Sequence, residues 1–177
     1  MMNFGCCCKE KEGTKAVRLT FLRKELLYDA QNYAYIEADV MGEEKQHAQH
    51  MLADICEEGN VDRVSRILAV VHAAVVEMLY PFTKQEPVEE ELDDKLEAPE
   101  EYVVELTIPN TVSRTTVKLL SKLIHEYMVY RVMADWLSIT NPAAAQTWMG
   151  RAEDTATEIE KSKNIRRKPM VRKMSTF

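Results

Sequence analysis

Glycine and proline are scarce in this 177-residue chain, at 5 and 6 residues, which argues against a fold built on many tight turns. Cysteine is almost confined to one spot: Cys6, Cys7 and Cys8 are adjacent and Cys56 stands alone. Three neighbouring thiols cannot build a disulfide framework, and no C-x-x-C pair occurs, so the composition fits a reducing, cytosolic compartment. No apolar run reaches the roughly 18 residues that a membrane span requires. The opening MMNFGCCCKEKEG lacks the apolar core of a secretion signal, and Gly5 does not follow Met1 directly, as N-myristoylation would need. A soluble chain is expected. What is plentiful is Ala, Leu, Met, Glu and Lys, mostly strong helix formers. One mainly helical domain with tails follows, large enough to bury roughly 70% of the surface its unfolded chain exposes.

The net charge of −6 hides an asymmetry: residues 86–105 hold ten acidic side chains and one basic, whereas residues 161–173 hold seven basic and no acidic one. Such a layout suggests oriented contacts with charged partners, or with copies of the same chain.

Residues 1–16 read as a flexible leader. From Thr20 to Met41, Leu22, Leu26, Tyr33, Ile36 and Val40 recur at helical spacing and predict a first amphipathic helix, ended by Gly42. A second runs from Glu43 to Glu58, with Gly59-Asn60 closing it, and a third from Val61 to about Tyr80, stopped by Pro81. EYVVELTIP then changes the period to two, with Tyr102, Val104, Leu106 and Ile108 on one side of a half-buried strand. A lone strand needs a partner. The expected one is TKQEPV at 83–88, giving a hairpin insert over 83–109 with the acidic segment at its tip; a neighbouring subunit could also supply it. Asn110 or Ser113 is expected to cap a fourth helix reaching about Ile139. Asn141 with Pro142 should start a fifth, to about Lys163. The fold class is thus mainly α: a bundle of about five helices over 17–164, a β-hairpin insert, and a basic extended arm at 165–177.

Catalytic and metal motifs are weak. His125-Glu126 opens the H-E-x-x-H zinc-protease signature, but Val129 stands where the second histidine is essential. By wheel geometry His125 falls with Ser121 and Lys118 on the polar side. Glu43, His47, His50 and Asp54 share a stripe, and Glu44-x-x-His47 matches half of a di-iron motif, yet no second E-x-x-H occurs. A solvated face is the better reading. A metal-dependent enzyme resting on His47 and His50 would need bound metal. No Gly-rich phosphate loop or nucleophile elbow appears. No catalytic residue, metal ligand or cofactor is assigned.

Misplaced charge says more. Arg131 lies inside the apolar stripe of the fourth helix with Asp135 one turn on, and Asp29 interrupts the stripe of the first. A buried Arg needs a carboxylate, so Arg131 is expected to pair with Asp29, Asp135 or both as a structural ion pair. The second half of that fourth helix is apolar nearly all round, which suits a central helix or a second interface, with Trp136 and Tyr130 as partner-binding anchors.

Two stretches carry a family resemblance. LLSKLIHEYMVYRVMADWLSITNPAAAQTW (119–148) resembles the long central helix and following turn of tailed-phage head–tail connector proteins, the head-completion adaptors of the neck. RRKPMVRKMSTF (166–177) is similar to their extended C-terminal arms. More loosely, 17–177 looks like proteins from phages and prophages of Bacteroides-type hosts. The resemblance implies a non-enzymatic homo-oligomer, commonly a dodecameric ring, bound to the portal protein in the virion neck after assembly in the host cytoplasm. It would meet tail or neck proteins and extend a channel through which DNA passes without sequence-specific contact, with no membrane partner. Arg166, Arg167, Lys168, Arg172, Lys173 and the terminal Phe177 would lie on the gripping arm, with Trp136 and Tyr130 near the packing surface. The acidic segment would face a neighbour or the channel. The alternative is a cytosolic helical protein that binds nucleic acid non-specifically through its basic tail.

Overall fold

The computed structural model describes residues 13–40, 46–84 and 98–164, without side chains for 46–48. Strand β1 (Thr14–Leu22) leads directly into helix α1 (Arg23–Val40). Helix α2 (Gln46–Ala53) and a 3-10 turn (Asp54–Cys56) precede α3 (Glu58–Met78). Strand β2 (Glu101–Pro109), α4 (Arg114–Thr140) and α5 (Pro142–Asn164) complete the chain. The mainly helical architecture with five α-helices and an antiparallel strand pair is as expected. No helix among the described residues is long and apolar enough to cross a membrane.

The strand pair has a different second member from the one expected. β2 pairs with β1, from Thr14 opposite Pro109 to Leu22 opposite Glu101. Residues 14–16 therefore belong to a strand rather than to a leader, and Thr20–Leu22 to that strand rather than to the first helix. Alternation explains both: Leu19 and Phe21 of β1 are buried on the same side as Tyr102, Val104, Leu106 and Ile108 of β2. Segment 83–88 is not the ladder partner, although Phe82, just before it, accepts a 2.8 Å hydrogen bond from Thr107 N–H on β2's other edge. Residues 85–97 lie outside the described residues.

α1 buries a face other than the one its large residues suggest. Leu26, Ala30, Ala34 and Ala38, spaced by four, are buried, while Ile36 and Val40 are open. Small side chains let the backbone of α1 approach α2 and α4 closely, so the alanines take the interior. Gly59 sits in the first turn of α3 instead of closing the preceding helix, where unpaired N–H groups make a helix former unnecessary.

Local chemistry sets the starts of α4 and α5. Ser113 caps α4, its hydroxyl accepting from Thr116 N–H at 3.2 Å. Asn141 breaks the chain between the two helices and accepts from Ala144 N–H at 3.3 Å, with Pro142 in the first helical position. The pair then runs antiparallel, with Tyr130 packed against Trp148. At the far end Lys163 donates to the carbonyls of Met78 (2.5 Å), the last residue of α3, and of Tyr80 (3.1 Å) in the turn that follows, a cation at the helix C-terminus. α4 is the central helix, with eleven buried residues from Leu120 to Leu137.

Candidate functional site

The expected ion pair does not form; the three residues go to three partners. Asp29 Oδ2 on α1 meets His125 Nε2 on α4 at 2.8 Å. Asp135 Oδ1 meets Arg63 Nη2 from α3 at 3.1 Å. Arg131 Nη1 points at the Met149 sulfur on α5, 3.5 Å away. At about 100° per residue, His125 and Arg131 lie roughly 120° apart on α4, so Asp29 on α1 reaches the first and not the second. His125 is thus engaged between helices rather than idle on a polar side. The Asp29–His125 hydrogen bond and the Arg63–Asp135 ion pair are both substantially exposed, and each contributes at most about 1 kcal/mol.

Trp136 is buried, and its indole N–H donates to the Leu52 carbonyl at 3.1 Å. Tyr130 packs in an aromatic cluster with Tyr33 and Trp148, ring centroids 4.8–6.1 Å apart. Within one chain, both side chains expected to anchor a partner are committed to internal packing. Trp148 N–H also donates to Glu37 Oε1 at 2.9 Å, with the Arg151 guanidinium 4.5 Å above its ring. Burial raises the Tyr130 phenol, with Glu126 and Tyr33 adding to the effect and Arg151 opposing it. Cys56 is similarly raised by burial, and its thiol donates to the Leu27 carbonyl at 3.4 Å; this describes a packed thiol rather than a nucleophile.

Of the metal-like stripe, His50 is exposed on α2 and Asp54 opens the 3-10 turn, while the side chains of Glu43, Glu44 and His47 lie outside the described residues. Among the described residues no three His, Cys, Asp or Glu converge as a metal site. Arg166, Arg167, Lys168, Arg172, Lys173 and Phe177 also lie outside them. The last described residues of α5 stand beside the end of α3, by the Lys163 bonds.

The arrangement with most chemical character is a groove of about 340 Å³ between α3, α4 and α5. Ile67, Val71, Ala134 and Met149 make an apolar floor, Val70 stands on the rim, and Arg66, Arg131 and Asp135 supply charge. Past the Arg63–Asp135 pair a second hollow carries Met51, Ile139 and the edge of Trp136, with Arg63 5.4 Å over the Trp136 ring. Guanidinium groups over aliphatic and aromatic surface suit carboxylate-bearing ligands. Sequence reasoning found Arg131 but missed Arg63 and Arg66. Only the meeting of two helices, which no local pattern encodes, brings them together. No protein-family profile, curated protein or solved structure matches this chain.

Proposed function

We propose that this chain is a structural adaptor of a tailed-phage neck, standing as a ring between portal and tail without catalysing a reaction. The observation that supports the reading is the set of large apolar side chains left open on α1. Tyr28, Tyr35, Ile36 and Val40 are 53–79% exposed. They span about 18 Å of helix at 1.5 Å per residue. Tyr28 and Tyr35 share one side and Ile36 and Val40 the next. Aromatic and aliphatic surface of this extent is what a neighbouring subunit covers. A self-assembling adaptor needs such a face; a helix whose outer side serves only solvent does not.

The test is cosedimentation and negative-stain imaging with a portal protein from the same genome, using the full chain and a 1–164 truncation. Ring-shaped density on the portal, lost with the truncation, is the expected result. No binding by either form, together with salt-sensitive DNA retention by the full chain alone, favours the nucleic-acid alternative.

A further inference from the structure

We infer that the groove between α3, α4 and α5 receives the acidic segment 86–97 of a second copy of this chain. The inference deepens the adaptor reading and rests on its oligomer, though not on the portal. Charge is the first argument. Arg66 and Arg131 border the groove with one acid, Asp135, and Arg63 borders the neighbouring hollow with one acid, Asp54. Asp135 is matched by Arg63, so two guanidiniums remain, and among the described residues neither has a carboxylate partner. Segment 86–97 carries seven carboxylates and one lysine. Arg66 and Arg131 offer forked donors on a weakly hydrated apolar floor, where carboxylate pairing is stronger than in open water.

Shape is the second. The floor is aliphatic, and Val70 on its rim is 68% exposed. In EPVEEELDDKLE, Val88, Leu92 and Leu96 recur every fourth residue between the acids. That spacing would set three aliphatic anchors on one side of a helix docked in the groove, with carboxylates at its margins.

Connectivity selects another copy over the same chain. The segment's flanks lie on the His72 side of α3: Phe82 accepts from Thr107 of β2 at 2.8 Å, and His72 Nε2 meets the Val103 carbonyl at 2.9 Å. Arg66, Ile67 and Val70 lie about 120–160° around α3 from His72, at roughly 100° per residue. A segment tethered at both ends on one flank is poorly placed to fill a groove on the other. Groove and segment are different patches, so the contact is heterologous and repeats into a ring or filament.

The first experiment measures fluorescence anisotropy of a labelled peptide of residues 84–98 with the full chain. Binding should weaken at least about tenfold in the double variant Arg66→Glu, Arg131→Glu, and should fall with salt. A peptide carrying Glu89→Lys, Glu90→Lys, Asp93→Lys and Asp94→Lys should bind that double variant better than wild type, which also shows the variant to be folded. Sedimentation then mixes two full chains, one with the groove substitutions and one with the four lysine substitutions. Each alone should stay monomeric, and the mixture should associate into rings or longer assemblies in which the two chains alternate. Unchanged peptide binding by the double variant overturns the inference, as does a mixture that stays monomeric. Peptide binding only to the chain with the four lysine substitutions would make the occupant the same chain's own segment and overturn the second copy. A DNA duplex held by Arg66 and Arg131 where the peptide is not would reassign the groove. Restored assembly without portal binding would keep the groove and remove the neck adaptor.

Discussion

At the residue scale, Tyr102 is the most instructive side chain. It is 3% exposed on the inner face of the strand pair, and its ring lies 5.5 Å from that of His72. Its hydroxyl has no hydrogen-bond partner. A buried hydroxyl left unpaired costs about 1–3 kcal/mol of desolvation, and phenylalanine keeps the shape without it. Tyr102→Phe should therefore raise stability by about 1 kcal/mol, seen as a higher urea midpoint at unchanged slope. A lower midpoint would mean that the hydroxyl finds a bound water. The same phenol is raised by burial, with Arg23 pulling the other way, and Tyr130 is raised as well. In the unfolded chain tyrosines ionise near pH 10. Above that the unfolded state loses protons that the folded state keeps, so unfolding gains. Stability is full below about pH 10 and falls as pH rises through the raised folded values. Urea midpoints measured from about pH 9 to about pH 11 should drop, and drop less in a chain carrying Tyr102→Phe and Tyr130→Phe.

At the element scale, α1 shows how the size of a side chain misleads. Its large residues recur at helical spacing, yet Ala30, Ala34 and Ala38 face the interior and Ile36 and Val40 the outside. Ala34 is fully buried, so Ala34→Leu should overpack the contacts of α1 at a cost of about 1–3 kcal/mol, read as a lower urea midpoint. A neutral result would show room that close packing denies. The same contrast marks what was legible in the sequence. Asn141-Pro142 and the alternation of EYVVELTIP depend on neighbours within a few residues, and both were readable, as was Ser113 as one of two candidate caps beside Asn110. β1 was not, because TKAVRLTFL runs without a break into a helix and its partner lies at the far end of the intervening chain. Pairing at that separation leaves no local mark. Arg131 failed for a related reason: three helices decide which acid it can reach, and its spacing from Asp135 does not.

At the scale of the whole molecule, the strand pair ties the beginning of the described chain to its middle. β1 enters α1 directly, and Arg23 N–H still bonds the Glu100 carbonyl at 2.9 Å. On β2's other side, His72 and Phe82 hold the sheet to α3 and the turn that follows it. Everything from α1 to α3 is thereby closed into one loop, and the closure depends on a sheet of two strands, too small to be stable without its helices. Phe21 is 4% exposed on the inner face, opposite Tyr102. Removing its ring should cost about 3–5 kcal/mol, a large part of the roughly 5–15 kcal/mol that stabilises a domain. If sheet and helices form one cooperative unit, Phe21→Ala lowers the urea midpoints of helical circular dichroism and of Trp136 and Trp148 fluorescence together. Both tryptophans sit in α4 and α5, away from the substitution, so their response reports transmission through the fold. Helical and tryptophan transitions that stay at the wild-type midpoint, while only β1 amides lose protection from exchange, would mean that the sheet is a satellite which opens by itself.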